Sequence, residues 1–374
     1  MHPNSPGEAD LYDFRAGVSR FIDEAIRSGV ACPAFGAIMP PAYFERAKRW
    51  QRHCFDHGFA GIDWPAEYGG GGRSAACQAV WMEECARSDV APYMNFQGFV
   101  LAGPAILKFG TNKQKAQFLE GTLSAEILWC QLFSEPGAGS DLSSLTTRAE
   151  RTSDGWSVTG QKVWTSTAQL AQHAILLART DATQLGSRGI SFFLVDMATP
   201  GIEVRPIKQM TGDHEFCEVF LTDVSVTDVD LLGPEHGGWG VATSVLADER
   251  SAVGSARIAL ETRVNAVQSD VDLDDPVARD RWLDTKVRAN ALGHLLGRSA
   301  GEATLGPLTK LGRTELETEL VGQALESQAP GGMVVGDSTE AFLYAPGMRL
   351  AGGTSEIQRN LIGERLLGLP REPR

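Results

Sequence analysis

Residues 130–142 read Cys130-Gln131-Leu132-Phe133-Ser134-Glu135-Pro136-Gly137-Ala138-Gly139-Ser140-Asp141-Leu142. An apolar run ends there in a short loop with Pro, Gly, small hydroxyls and acids. Gly137 and Gly139 let backbone reach positive φ and approach a ligand closely. Ser134 and Ser140, with neighbouring amides, could bind a polar ring edge or a phosphate. The same residues also make an ordinary Pro-Gly turn, and the loop alone leaves both readings open. A dinucleotide fingerprint is excluded, because Leu142 stands where its third Gly belongs and no helix pattern follows.

Apolar periodicity changes on either side of this loop. Before it, Leu11, Phe14, Val18, Phe21, Ile22 and Ala25 recur at helical spacing, as do Tyr43, Phe44, Ala47, Trp50 and Cys54. Further helical stretches are predicted at Ser74–Arg87, Gly98–Phe109 and Asn112–Phe118. The run Gly69-Gly70-Gly71-Gly72 reads as a connector, since no Lys-Ser/Thr follows to make a phosphate cradle. After the loop, residues 156–160, 174–178, 190–195, 202–207 and 218–226 are short, rich in Val, Ile, Phe and Thr, and bounded by Gly, Pro and Asp, as strands are. From Gly237-Gly238-Trp239-Gly240 the helical pattern returns, broken by an acidic stretch at Val271–Pro276 and by Pro330-Gly331-Gly332. Helices, strands and helices in separate blocks define an α+β chain. The predicted domains are 1–123, helical; 124–233, β; and 234–374, helical.

With 374 residues the chain suits two or three domains. A net charge of −13 argues against nucleic acid or an anionic membrane as partner. Anionic ligands must then be met by local Arg and Lys. The six Cys are scattered without a CxxC pair, which predicts reduced thiols and a cytoplasmic location. Residues 1–10 are polar and carry no signal-peptide pattern, and no apolar run is long enough to span a bilayer. His53 and His57 lie four apart but lack a third ligand, so no metal site is predicted.

One acid falls on an apolar stripe. Ala242, Val245, Ala252, Ala256 and Ala259 step by three or four, and Glu249 sits in phase with them. An inward carboxylate needs a partner or a task. Burial would raise its pKa and suit it to proton transfer. The alternative is a surface cluster of Asp248, Glu249 and Arg250. Asp248 points about 100° away from Glu249 on an ideal helix.

Taken in order, the loop at 130–142, Lys162-Val163-Trp164-Thr165-Ser166, Met210-Thr211-Gly212, Asp248-Glu249-Arg250 and Ala351-Gly352-Gly353-Thr354-Ser355-Glu356 resemble the acyl-CoA dehydrogenase family from about Phe55 to Pro370. The resemblance implies an N-terminal helical domain, a middle β-barrel or sandwich and a C-terminal four-helix bundle. It also implies FAD-dependent α,β-dehydrogenation of an acyl-CoA thioester, with electrons passing to an electron-transferring flavoprotein. In the family the base is a Glu just before the C-terminal Gly-Thr, or a Glu in the helix that here carries Glu249. Gly352 stands at the first place, so the resemblance assigns the base to Glu249, with Arg250 beside it and the Gly352 backbone N–H as oxyanion donor. It assigns flavin contacts to Gln131, Phe133, Ser134, Gly139, Ser140, Trp164, Ser166, Thr354 and Glu356. From the residues alone, Trp164 reads as a core aromatic in a strand.

The pattern departs from the family after Arg263, where an Arg-x-x-Phe-Gly element that reaches a partner's pyrophosphate is replaced by Asn265–Pro276, rich in Asp. Acids there would repel a pyrophosphate. The expected assembly is therefore a homotetramer, or a heterotetramer in which a related chain supplies the missing Arg; the altered region also resembles members acting on steroid side-chain esters. A non-catalytic subunit and a flavin oxidase on the same fold are the alternative readings.

Overall fold

The computed structural model describes residues 8–35, 39–254, 257–268, 271–299 and 305–371. It divides into two compact units, one of residues 1–209 and 213–245 and one of residues 210–212 and 246–374.

The first unit opens with helices α1 (Glu8–Ser28), α2 (Phe44–Asp56), α3 (Ala75–Arg87), α4 (Gly103–Phe109) and α5 (Asn112–Leu123). The predicted apolar stripes are the buried ones, with Val18, Ile22, Ala25, Ala47, Trp50 and Cys54 all removed from solvent. Phe21 stacks on Trp50, and Phe59 on Trp81, at ring separations of 5.6 and 5.5 Å. His53 and His57 join that aromatic cluster through Phe21. The glycine run has a packing reason: a Cβ on Gly70 would lie 2.4 Å from Trp64 O, and one on Gly71 2.7 Å from Ile62 O. The connector therefore folds directly onto residues 61–64. Thr111 caps the start of α5 with Gln114 in a reciprocal pair of bonds, and the helix runs five residues beyond the predicted Phe118 to Leu123.

Seven strands follow: β1 (Trp129–Leu132), β2 (Arg148–Arg151), β3 (Trp156–Ser166), β4 (His173–Arg179), β5 (Ile190–Asp196), β6 (Ile202–Ile207) and β7 (Phe216–Val226). They form one hydrogen-bonded sheet in the order β1-β4-β2-β3-β7-β6, with β5 also on β4. Strongly apolar runs give strands with no exposed face, such as Ile190–Val195 in β5, where Ser191 is buried too, whereas β7 alternates. β1 pairs parallel with residues 173–176 of β4, and Arg148 at the head of β2 pairs parallel with Arg179. β1 and β2 thus line the same side of β4, one after the other, and the chain between them must leave the sheet and return to it. That excursion is the loop at 133–147. The sheet packs around Leu132, Trp156, Val158, Leu176, Phe193, Val219 and Val224.

The helix α6 (Gly238–Gly254) runs through the boundary at Val245 between the units. The second unit continues with α7 (Arg257–Gln268), α8 (Pro276–Ser299), α9 (Gly306–Ser327), α10 (Asp337–Leu350) and α11 (Ser355–Leu361). α7, α8 and α9 share a core of Leu260, Val264, Ala289, Leu292, Leu296, Leu316 and Leu320. The acids of the break before α8 serve its start: Asp275 accepts from Val277 N, and Asp272 from Asp274 N. All six Cys are free and buried. Among the described residues, no helix is long and apolar enough to cross a membrane.

Candidate active site

In the first unit the loop at 133–147 is held by a buried ion pair. Lys162, fully buried on β3, places its ammonium 2.8 Å from Glu135 Oε1 and 3.0 Å from Phe133 O. The Glu135 carboxylate also accepts from Thr146 N, Thr146 Oγ1 and Thr147 N at 2.7, 2.7 and 2.9 Å. Val163 N donates to Ser134 O. One acid therefore closes the loop by tying its start to its return, and one lysine ties both to the sheet. Burial pushes the Glu135 carboxyl up, but the Lys162 charge and hydrogen bond, with the Thr donors, hold it down at about 2. Burial pulls Lys162 down to about 8, with Glu135 opposing. The pair is ionised at neutral pH.

Lys162 falls on the same face of β3 as Trp156 and Val158, so strand alternation alone marks it as an inward cation. Beyond it the register against β7 slips between Lys162 and Thr165. The slip turns Trp164 outward at φ +60°, with its side chain 60% exposed. The reading of Trp164 as a core aromatic is thereby overturned. A bulky residue in the left-handed region costs about 1–3 kcal/mol, and such strain collects at ligand sites. Its ring meets Phe216 edge-on at 6.1 Å. Ser166 and Ser134 are half-buried, Phe133 is buried, and Gly139 and Ser140 are exposed. Gly137 and Gly139 do not take positive φ, contrary to expectation; the turn closes through reciprocal bonds between Glu135 and Ala138. A Cβ at either glycine would meet nothing within 4 Å, so that side of the loop is open. A planar ring could lie on the exposed indole, with Ser134, Ser140 and Ser166 for its polar edge. These residues fit a flavin.

In the second unit the predicted base and the predicted donor come together. Gly352 and Gly353 take φ of +65° and +95°, which favours glycine at both. An ideal Cβ on Gly352 would stand 3.5 Å from Glu249 Oε1. Glu249 lies on α6 and is half-buried, with Ala242 and Val245 of its stripe buried. The side chains of Asp248, Arg250, Ala252, Ala256 and Ala259 lie outside the described ones. Thr354 caps α11, accepting from Ile357 N at 3.3 Å, while Glu356 is exposed in the first turn. A main-chain N–H and the Thr354 hydroxyl hold the Glu356 carboxyl below its usual range.

Sequence reasoning missed Glu135, Lys162 and Lys310. Lys310 is 1% exposed on α9, and its Nζ donates to Arg349 O at 3.0 Å and Gly353 O at 2.7 Å. It lies in phase with the buried Thr314, Glu317 and Ala324, the same kind of signal that singled out Glu249.

The loop at 133–147 is anchored to the sheet beside an exposed, strained indole, and in the second unit an acid stands against a twin-glycine turn. The chain belongs to the acyl-CoA dehydrogenase family: the family's N-terminal, middle and C-terminal domain models match residues 9–126, 130–224 and 236–367. It is an oxidoreductase of that class, and members of the class bind FAD. It is 37% identical over 383 residues to acyl-CoA dehydrogenase IpdE1 of Mycobacterium tuberculosis, covering 97% of this chain and 99% of that one. It is 38% identical over 369 residues to acyl-CoA dehydrogenase FadE34 of the same organism, covering 96% of this chain and 51% of FadE34, so it spans about half the length of that relative. Among solved structures it matches the Tcur3481–Tcur3483 steroid ACAD at 26% identity and TM-score 0.82, over the whole of both chains. It matches the ChsE4–ChsE5 complex of Mycobacterium tuberculosis at 25% identity and TM-score 0.81, again over both whole chains.

Proposed function

We propose that this chain removes the α-proton of an acyl-CoA thioester with Glu249 as base and the Gly352 N–H as donor to the thioester oxygen, producing the trans-2-enoyl-CoA. The observation that carries this reading is the 3.5 Å between Glu249 Oε1 and the Cβ position of Gly352. The family places its base at one of two points in the sequence. Here the helix acid reaches the space that a side chain at the other point would enter.

The chemistry follows from that placement. A thioester whose Cα lies beside Glu249 gives up a proton to the carboxylate, and negative charge grows on the thioester oxygen. A fixed amide aimed at that oxygen stabilises the charge as it forms, which is worth about 10²- to 10³-fold in rate. FAD, when bound, supplies the acceptor for the β-hydride. Trp164 and Ser166 would meet its ring, Gln131, Phe133, Ser134, Gly139 and Ser140 would face it, and Thr354 and Glu356 match family positions near the ring and the adenosine portion. Gly352, having no side chain, leaves the carboxylate room to meet substrate. Arg250 follows Glu249 on α6 and is assigned as its neighbour.

The domain division at 1–123, 124–233 and 234–374 separates these tasks. The similarity to a steroid ACAD and to the ChsE4–ChsE5 complex supports a bulky CoA ester as substrate and a tetramer shared with a related chain. Asp275 accepts from Val277 N at the start of α8, and Asp272 accepts from Asp274 N in the turn before it, so these acids are engaged within the break and would repel a partner's pyrophosphate. Electron-transferring flavoprotein is the proposed acceptor and the cytoplasm the proposed location.

The test is Glu249→Gln, which keeps shape and removes the base. Turnover of a panel of short, branched and steroidal acyl-CoA thioesters should fall by about 10²- to 10⁴-fold. Flavin content should not change. Retained turnover would reject the assignment.

A further inference from the structure

A buried lysine and a buried amide stand behind the twin-glycine turn, and neither has a role in the reaction described so far. Lys310 donates to Arg349 O, three residues before Gly352, and to Gly353 O, directly after it. Gln358, fully buried on α11, donates through Nε2 to Gly352 O and Gly353 O, both at 3.0 Å. The turn is thus gripped on both flanks of Gly352 from within one unit.

The grip is costly. A buried ammonium gives up its hydration, and carbonyl oxygens replace only part of it. A neutral residue of similar length would fill the same volume without that cost. What a cation adds is strong, directional bonds to two separated carbonyls and a positive field at the turn. The charged groups acting on it come from three helices: Glu249 of α6, Arg349 of α10 and Glu356 of α11. Burial pulls Lys310 down to about 8, and Glu249 opposes that fall more strongly than any other charge.

We propose that Lys310 is a positioning residue for the dehydrogenation, clamping the Arg349 and Gly353 carbonyls so that the Gly352 N–H and the Glu249 carboxylate keep their mutual placement. This rests on the assignment of Glu249 and Gly352 made above. Because Gly352 and Gly353 are left-handed glycines, their own conformational preference is broad. The clamp, not the local sequence, selects one geometry.

The test compares the holoenzyme with Lys310→Met and Lys310→Gln, alongside Glu249→Gln. Loss of the clamp should speed amide hydrogen exchange across 349–354 and leave the α8–α9 core protected. With Lys310→Met, kcat should fall about 10- to 100-fold, as expected for a misplaced oxyanion donor. KM and flavin content should change little. Lys310→Gln, which retains a donor, should recover part of kcat and part of the exchange protection at 349–354. Unchanged exchange at 349–354 with unchanged kcat would overturn the proposal. So would loss of folded helix in both Lys310 variants, which would make the lysine a structural residue. If Glu249→Gln keeps turnover, the base assignment fails on its own, and the exchange data still decide whether the clamp exists.

Discussion

Lys162 and Glu135 form a salt bridge of 2.8 Å with both side chains withdrawn from water, 27 positions apart in the chain. It joins the strand that presents Trp164 to the loop that presents Ser134. Removing one partner leaves the other charge buried, which costs about 3–5 kcal/mol. Glu135→Gln and Lys162→Met should each lower the stability of the first unit by that order. The double variant should cost less than either single change, because no charge is left alone. Denaturant melts of all four proteins measure the coupling, and additive losses would show that the pair does not act as one.

The same pair predicts a pH dependence. The Glu135 carboxyl falls from 4.5 to about 2 on folding. Its contribution is therefore complete above pH about 4.5 and is lost as the pH drops toward 2, in total roughly 3 kcal/mol. The stability difference between wild type and Glu135→Gln should shrink across that window and hold steady from pH 5 to 7. A difference that stays constant down to pH 2.5 would contradict the charge-based account.

Trp164 is held outward in a strained conformation and contributes little burial. Trp164→Ala should leave apoprotein stability within about 1 kcal/mol of wild type, since exposed positions rarely cost more. If the ring stacks on the flavin, FAD affinity should fall about 10-fold, the worth of one aromatic contact. Titration of the apoprotein with FAD separates the two effects. A large loss of stability with unchanged affinity would return Trp164 to a packing role.

The block order of helices, strands and helices was legible because long apolar periodicities survive any tertiary arrangement. β4 and β5 announce themselves by their dense apolar content, whereas β2 does not. Its sequence Arg148-Ala149-Glu150-Arg151 buries only Ala149, and pairing with β3 rather than composition makes it a strand. Trp164 was misread because its exposure follows from a register slip, and a slip depends on two strands read together. Glu249 and Lys310 carried the same signal, a charge on a buried helical stripe. The meeting of Glu249 with Gly352 brings together residues on α6 and beyond α10, a closure no local pattern encodes.

Assembly can be tested through the acidic break before α8. Asp272 and Asp275 are spent on capping turns and are exposed. Expressed alone, the chain should bind less than one FAD per chain. Co-expression with a related chain carrying the Arg-x-x-Phe-Gly element should raise the flavin content and give a mixed tetramer by native mass. Full occupancy in a homotetramer would reject this.

The placement of Glu249 beside Gly352 allows the base to be moved. Glu249→Gly alone should reduce kcat by about 10²- to 10⁴-fold. Gly352→Glu alone would set a second carboxylate against the first, raising the pKa of one of them, and would force a side chain into a left-handed position at about 1 kcal/mol or more. Combining the two removes the repulsion and leaves one carboxylate near the same place, since the Cβ at 352 starts 3.5 Å from where Glu249 Oε1 ends. The double variant should recover at least about 10-fold of the activity lost in Glu249→Gly, the reduced gain reflecting the strained backbone. Steady-state rates at matched flavin content measure this. A double variant no better than Glu249→Gly, with substrate and flavin still bound, would mean that the two positions do not serve one proton.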